Sequence, residues 1–443
     1  MMTKPWPALQ SCDNKVKRKE GVTSGLCALP NEILFSILSS FTMKEVARLS
    51  IVSHRWKYIW ENFPRLHFED SRAMERIFES PKVISHERSN FVTWVSHVVD
   101  QHFGAYSIDE LRIKFCLTRT FQSHVDKWAF FASEKQVKTL DLNFTSKFNL
   151  VNTESAHCSF PLKVASIKSS LISLCLRSVD VTDEFIGCLI CSCIFLENLC
   201  IGNSKYLTNL RVSSSLQQLK HLEVSHCLHL KIIDISTPNL VSFTYRGQAI
   251  ELRIRDASWL SKVAVGSRDY NASISYAFDS LLQYSSQLEY LSLMMNLKCE
   301  SNIQIINPPA LTNVKHIELC FIACCNKSLL GWTSLIVAAP VLQKLTLKLL
   351  GFNIKRARPI VKHNACPLKC LKTLELVGFM GRPIDLEFAA FVLENAIALE
   401  EVIIDFTPMF STKPYHKGVQ ELLLSKDKCW QNTFFVLFYS IIN

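Results

Sequence analysis

The N-terminal part of the chain carries hydrophobic residues at helical spacing. Four aliphatic side chains recur three and four residues apart and predict a first helix; they are Ile33, Leu34, Ile37 and Leu38. Pro30 suits the first turn of this helix, where its missing N–H costs no hydrogen bond. The T-x-x-E sequence at residues 42–45 has the form of a capping box and predicts a second helix. Trp56 and Trp60 lie four residues apart and predict one face of a third helix.

Beyond residue 110 the pattern changes to an apolar–x–apolar pair that recurs twelve times. Its leading positions are Leu111, Leu140, Leu174, Leu199, Leu222, Phe243, Val263, Leu291, Ile317, Leu345, Leu374 and Val402. Successive positions lie 20 to 34 residues apart, and most of these spacings suit leucine-rich repeats better than an ordinary α/β sheet with chance spacing. Each copy predicts a short strand with an inward apolar edge, followed by a helical or irregular return. The register is least defined between residues 240 and 285, where LRIR at 252–255 offers a competing strand.

The N-terminal helical unit resembles an F-box of the plant F-box/leucine-rich-repeat family. The resemblance rests on L-P-x-E-I-L, then V-A-R-x-S-x-V-S-x-R-W and a further tryptophan, all between residues 29 and 60. It implies binding to a Skp-type adaptor and, through it, to a cullin/RING ligase core. So short a unit also leaves apolar surface uncovered, although packing against the rest of the chain is an alternative. The expected adaptor-binding residues are Pro30, Ile33, Leu34, Ile37, Leu38, Val46, Val52 and Trp56.

Residues 368–406 resemble the FBD region that often closes repeat arrays in the same family. The matching phrases are LKCLKTLELVGFMG, EFAAFVLENA and LEEVII. We therefore expect an α/β protein with an N-terminal three-helix F-box, a leucine-rich-repeat solenoid (horseshoe) and an FBD-like terminal cap. The expected organisation is a disordered tail at 1–25, an F-box at 26–70, a helical linker and first repeat at 71–135, repeats at 136–358, the FBD-like region with terminal repeats at 359–410, and an irregular C-terminal tail at 411–443.

Composition and charge narrow the possible partners. The chain has 443 residues, 48% of them hydrophobic, and a formal net charge of +10, which does not by itself imply nucleic acid. Residues 341–370 hold seven Lys and Arg and no Asp or Glu. This stretch can serve an acidic substrate, a phosphate-rich ligand or nucleic acid, but a solvated convex loop is favoured. No aromatic interleaving supports the stacking of single-stranded bases. No apolar run approaches the roughly 18 residues of a membrane helix, so no membrane partner is expected.

The sequence offers little chemistry for catalysis or metal binding. Seventeen cysteines without a secretory signal are expected to be reduced and buried, in a protein of the cytoplasm, the nucleus or both. The densest groups of ligand-type residues are Cys188, Cys191, Cys193 and Cys200, and His221, His226 and His229. Neither group has the paired spacing of a zinc site, and P-loop, G-x-S-x-G and H-E-x-x-H motifs are missing. We expect a non-catalytic protein with no metal and no cofactor.

These observations favour a substrate-recognition subunit of an SCF-type ubiquitin ligase. Its repeats would bind a protein target through the sheet face of the solenoid, which carries the residues between the inward apolar pairs. The candidates for target binding are His221, Glu223, Tyr290, Ser292, His316, Glu318, Lys344, Thr346, Thr373 and Glu375. Two alternatives stay open: a repeat scaffold outside the ubiquitin pathway with a vestigial F-box, and a basic binder of nucleic acid or phosphate ligands that uses residues 341–370.

Overall fold

The computed structural model divides into two compact units, residues 1–63 and 64–443, which we describe separately. The residues that it describes are 29–49, 54–102, 107–145, 157–161, 170–213, 215–267, 281–296, 308–322, 328–350, 367–379, 382–405 and 434–438. The predicted N-terminal tail at 1–25 and most of the predicted C-terminal tail lie outside these ranges.

The first unit consists of three short helices, α1 (Asn31–Leu38), α2 (Met43–Leu49) and α3 (His54–Glu61). Pro30 immediately precedes α1, and its carbonyl accepts a hydrogen bond from the Leu34 N–H at 3.1 Å. The predicted capping box is confirmed, because the Thr42 N–H donates to Glu45 Oε2 at 2.8 Å. The guanidinium of Arg55 donates to the Leu29 carbonyl and so connects α3 to the start of α1.

The second unit contains nineteen described strands. In chain order these are β1 (Arg65–Glu69), β2 (Glu110–Lys114), β3 (Thr139–Asn143), β4 (Cys158–Ser159), β5 (Ser173–Arg177), β6 (Val179–Asp180), β7 (Asn198–Gly202), β8 (Asn209–Val212), β9 (His221–Ser225), β10 (Ile232–Ser236), β11 (Ser242–Arg246), β12 (Glu251–Arg255), β13 (Lys262–Gly266), β14 (Tyr290–Asn296), β15 (His316–Ile322), β16 (Lys344–Leu350), β17 (Thr373–Val377), β18 (Glu401–Asp405) and β19 (Phe434–Phe438). Fourteen of them form one parallel sheet in the order β1-β2-β3-β5-β7-β9-β11-β13-β14-β15-β16-β17-β18-β19.

The twelve predicted leading positions lie on one line across this sheet. Each pairs with the next in register, beginning with Leu111 opposite Leu140 and ending with Leu374 opposite Val402. All twelve side chains are buried, so the stacked repeats share one continuous core, and the predicted register is confirmed. Leu66 on β1 extends the line at its start, inside the segment that the sequence assigned to the F-box.

A second sheet explains the competing strand between residues 240 and 285. LRIR at 252–255 lies in β12, which pairs with β10 and through it with β8 in a separate three-stranded parallel sheet. Phe243 and Val263 keep their predicted places on β11 and β13 of the large sheet. The repeats of this region therefore carry two strands each, one per sheet.

A left-handed residue follows several strands and turns the chain away from the large sheet. Ser178, Asn203 and His226 come directly after β5, β7 and β9 and have φ angles of 54°, 57° and 56°. Their N–H groups donate to the carbonyls of Gly202, Ser225 and Arg246 at 2.8, 2.7 and 2.6 Å. These hydrogen bonds join neighbouring repeats at the turn, so the backbone of His226 has a structural role.

The described helices of the second unit are α4 (Ser71–Glu79), α5 (Ile84–Gln101), α6 (Gln122–Glu134), α7 (Asp183–Ser192), α8 (Thr333–Val337) and α9 (Pro383–Asn395). The FBD-like region consists of a strand, a helix and a strand in chain order, namely β17, α9 and β18. Phe388 and Val392 of α9 are buried. Among the helices that the structure describes, none combines the length and the apolar character that crossing a membrane requires.

The C-terminal segment differs from the prediction. Residues 411–443 were expected to be irregular, but Phe434–Phe438 forms β19 and pairs in parallel with β18. The FFVLF sequence consists of strong strand formers, and β18 would otherwise expose an unpaired edge. The expectation of an irregular tail is therefore wrong for these five residues.

Candidate functional site

The structure divides the predicted adaptor-binding residues into a buried and an exposed group. The buried group is Leu34, Leu38, Val46 and Trp56, each at most 7% exposed within the first unit. Met43, Ile59, Trp60 and Phe63 of the same unit are buried as well, so the four predicted residues belong to the buried core of the chain alone. Pro30 and Ile33 are exposed and Ile37 is half-buried, whereas Val52 lies outside the described residues.

Two exposed apolar residues of this unit escaped the sequence analysis. Phe41 is 45% exposed and Tyr58 is 55% exposed, similar to Ile33 at 48%. Phe41 lies between α1 and α2, and Tyr58 lies on α3 between Trp56 and Trp60, so helical periodicity pointed to neither. Together with Ile33 they form the exposed apolar set of the described part of the unit, the kind of surface that partner proteins cover.

The predicted target-binding residues lie on one face of the large sheet, where Ser292 and Thr346 are buried and the other eight are exposed or half-buried. Eight of the ten occupy four adjacent strands, in the register rows Tyr290–His316–Lys344–Thr373 and Ser292–Glu318–Thr346–Glu375. The other two, His221 and Glu223, lie on β9, and β11 and β13 separate them from β14. In-register parallel pairing thus brings eight of the candidates together. We call these eight residues and Lys348 the polar face.

Hydrogen bonds connect the polar face across β15, β16 and β17. The hydroxyl of Thr346 donates to Glu375 Oε2 at 3.1 Å, and His316 Nε2 lies 3.0 Å from the same hydroxyl. Because the hydroxyl has only one proton, His316 is the donor to Thr346 and carries its own proton on Nε2. Lys344 Nζ lies 2.7 Å from Glu375 Oε2. The Glu375 carboxylate is therefore bound directly by two side chains of β16 and, through Thr346, is connected to His316 on β15.

A second carboxylate organises the other half of the polar face. Glu318 accepts a hydrogen bond from Ser292 Oγ at 3.1 Å and from Lys348 Nζ at 2.7 Å. The ring of Tyr290 meets the His316 ring edge to face, with 4.9 Å between centroids. The face therefore combines two lysines, two carboxylates and two rings in edge-to-face contact, with balanced charge, and it can offer both donors and acceptors to a peptide.

Burial and pairing set the charge states of this face. Burial lowers the pKa of His316, and Lys344 lowers it further, so the imidazole is neutral at pH 7. Burial opposes the charge of Glu375, but the hydrogen bonds from Lys344 and Thr346 prevail and hold the pKa of this carboxyl below its usual value. Burial likewise opposes the charge of Lys348, and the contact with Glu318 raises its pKa overall. Glu375 and Lys348 accordingly stay charged at neutral pH.

The basic stretch at 341–370 is partly neutralised within the fold. Lys344 and Lys348 lie on β16 and pair with Glu375 and Glu318. Lys369 is exposed, and the other four cationic residues fall in 351–366, outside the described residues. Two of the seven cationic side chains are therefore engaged with carboxylates of the same sheet, which does not favour a binder of phosphate ligands.

The cysteines follow the prediction only in part. Cys193 is buried as expected, but Cys188 and Cys191 are exposed, because α7 buries only one of its faces against the core. Cys200 lies on β7 directly opposite Cys175 on β5, and a hydrogen bond between the thiols together with burial raises the pKa of Cys175. Within the described ranges no three His, Cys, Asp or Glu side chains are placed to hold a metal ion together.

Fold and surface together define a leucine-rich-repeat protein with an N-terminal three-helix unit of the F-box type. The family model described as At1g61320/AtMIF1, LRR domain, matches residues 98–433, and the model of the F-box domain matches residues 26–68. This chain belongs to the At1g61320/AtMIF1 leucine-rich-repeat family and carries an F-box in front of its repeats.

Curated relatives come from Arabidopsis thaliana. F-box/LRR-repeat protein At3g58900 is 29% identical over 240 residues, which cover 49% of this chain and 71% of the relative. F-box/FBD/LRR-repeat protein At5g56420 is 25% identical over 428 residues, which cover 90% of this chain and 95% of the relative. The resemblance to plant F-box/leucine-rich-repeat proteins with an FBD region is confirmed.

Proposed function

We propose that this chain is the substrate-recognition subunit of an SCF-type ubiquitin ligase. The observation that carries the proposal is the joint presence of an F-box and a repeat array in one chain. The F-box binds a Skp-type adaptor and, through it, a cullin/RING core, while the repeats hold a protein target. The chain itself needs no nucleophile, since its task is to position a lysine of the target. It works in the cytoplasm, the nucleus or both.

The burial pattern refines the adaptor contact. Exposed Ile33, Phe41 and Tyr58, with Pro30 and half-buried Ile37 beside them in sequence, are available to a partner without opening the unit. Interface energy concentrates in a few large side chains that become buried on binding. In this proposal Leu34, Leu38, Val46 and Trp56 act indirectly, since their packing fixes the helices that present the exposed residues.

The test is co-elution of the purified chain with a Skp-type adaptor. We expect a stable complex with the wild type and a loss of affinity of about tenfold or more for Ile33→Ala/Tyr58→Ala. The control is Phe130→Ala, which removes a similarly exposed aromatic residue from α6 of the other unit. Circular dichroism of all three proteins checks that the F-box remains helical. A folded wild type that forms no complex would favour the repeat scaffold outside the ubiquitin pathway.

Target recognition belongs, in the same proposal, to the polar face with His221 and Glu223. Glu318 and Glu375 each already bind a lysine, so a target gains affinity only if it replaces these contacts or adds to them. Once a target is known, Thr346→Val is the sharpest variant, because it removes the hydroxyl between His316 and Glu375 and keeps the side-chain shape. If this variant binds the target with unchanged affinity, the target contacts another part of the array.

A further inference from the structure

A cavity of about 430 Å³ opens at the first repeats, away from the polar face. The carboxyl ends of β1, β2 and β3 border it through Glu69, Lys114 and Asn143, and α4 forms its wall. Its volume lies in the range of about 300–1,000 Å³ that is usual for ligand pockets. Five large-sheet strands separate β3 from β14, which amounts to about 29 Å along the sheet.

One face of α4 is dedicated to this cavity. The lining residues Ser71, Met74, Glu75, Phe78 and Glu79 follow each other at the spacing of a single helical face. The opposite face carries Ala73 and Ile77, which are buried in the core of the array. Phe78 is 65% exposed, so α4 presents a large aromatic side chain toward the cavity.

The wall is held in place at both ends of α4. Asp70 caps the helix by accepting a hydrogen bond from the Ala73 N–H at 3.0 Å. Arg76, near the other end, donates to both carboxylate oxygens of Glu87 on α5 at 2.7 and 2.8 Å. A site with a fixed wall binds at a lower entropic cost than one that must first become ordered.

The lining combines apolar and acidic side chains. Met74, Phe78 and Phe115 supply the apolar surface. Three carboxylates line the cavity, and Lys114 is the sole cationic side chain that the described lining contains; it pairs with Glu69 at 2.7 Å. Glu75 and Glu79, one helical turn apart, are the charged side chains that α4 contributes to the lining, whereas Arg72 and Arg76 of the same helix lie outside it.

We propose that this cavity is a docking site for a basic peptide segment of a partner protein. The segment places a large apolar side chain against Met74, Phe78 and Phe115 and directs an Arg or Lys toward Glu75 and Glu79. An acidic segment would meet like charges, and a purely apolar one would leave two carboxylates desolvated without a partner. The identification of this partner as a ligase target rests on the proposed function, whereas the binding itself does not.

The experiment selects peptides from a random displayed library on the whole chain. Selection on the variant Phe78→Ala/Glu75→Gln/Glu79→Gln, run in parallel, subtracts peptides that bind elsewhere. We expect enriched peptides to carry an aromatic or large aliphatic residue within a helical turn of an Arg or Lys. Enrichment of acidic peptides, of purely apolar peptides, or of identical peptides on both proteins would overturn the proposal.

An enriched peptide is then labelled with fluorescein, and its affinity is measured by anisotropy. We expect Phe78→Ala to weaken binding about tenfold or more, and Glu75→Gln/Glu79→Gln to weaken it about tenfold and to reduce its salt dependence. Phe130→Ala and Glu134→Gln, both exposed on α6 and outside the cavity, are the matched controls and should bind normally. Adaptor co-elution is read separately. If the chain binds the peptide but does not co-elute with the adaptor, only the ligase role is contradicted. If it co-elutes with the adaptor but does not bind such peptides, only the docking site is contradicted.

Discussion

The F-box unit and the repeat array use their hydrophobic residues in different ways. In the F-box, the core is a small group that three helices share, and large apolar side chains such as Ile33 and Tyr58 stay exposed. In the array, one apolar line runs in register from β1 to β18, and the open sheet face above it is polar. A small unit has too little interior for its apolar residues. Each stacked repeat covers the inward edge of its neighbours, and the apolar side chains that the array leaves exposed include Phe78 and Phe130 on its helices.

In the proposed function, the two surfaces meet different partners. The F-box offers apolar side chains, which suit a permanent or slowly exchanging contact with another folded subunit. The polar face offers hydrogen-bonding groups that already satisfy one another, which suits selective recognition, because a wrong partner leaves buried polar groups unpaired. The following predictions test whether the two units behave as separate bodies with separate weaknesses, from the largest expected effect to the smallest.

The largest effect is expected in the array from Gly266→Ala. Gly266 has a φ of +145°, and a Cβ there would lie 2.0 Å from the Met294 carbonyl oxygen on the neighbouring strand. We expect a loss of about 4 kcal/mol or more in the free energy of unfolding, measured by urea denaturation. Gly187→Ala on α7 is the control, since a Cβ there meets nothing within 4 Å. Equal stability of the two variants would contradict the close strand approach at Gly266.

The F-box should respond most to Leu34→Ala. This side chain is fully buried in a core with few members, and its truncation should cost about 3 kcal/mol. Hydrogen exchange measured by mass spectrometry should show loss of protection across α1, α2 and α3 and no change in β14 to β17. If both units lose protection together, they unfold as one body, and the expectation that the F-box unfolds separately from the array is wrong.

The smallest effect is expected at the contact between α4 and α5. The hydrogen bond from Arg76 lowers the pKa of Glu87 below its ordinary value of 4.5, although burial opposes this. A carboxyl whose pKa is lower in the folded state stabilises the fold above that ordinary value, and the stabilisation is lost as the pH falls below it. Because Arg76 is half exposed, we expect Glu87→Gln to cost about 1 kcal/mol at pH 7.

The pH dependence distinguishes this contact from simple packing. Stability curves of the wild type and Glu87→Gln, measured by thermal denaturation from pH 7 to pH 3, should converge as the pH falls below 4.5. The exposed Glu134→Gln on α6 serves as the control, with a curve close to the wild type throughout. A difference for Glu87→Gln that is independent of pH would show that the charge of Glu87 does not contribute.

Much of the architecture follows from the sequence because its signals are local and periodic. The leading positions from Leu111 to Val402 are correct through twelve strands, since each repeat reproduces the same inward edge. The capping box at residues 42–45 is correct for a similar reason, because it involves neighbours along the chain. Short strands without such a signal escaped prediction, among them β1 at the end of the F-box segment and β19 near the C-terminus.

Tertiary structure alone decided which of the predicted residues meet and which are accessible. Leu34 and Ile33 both fit the helical spacing of apolar residues. Only the packing of the three helices decides that Leu34 is buried and that Ile33 is exposed. The polar face assembles because in-register strands place His316, Thr346 and Glu375 side by side, although about thirty residues separate each from the next. The cavity beside α4 likewise joins Glu69, Lys114 and Asn143 from three repeats. Burial and proximity depend on how distant segments stack, and periodicity along the chain does not contain that information.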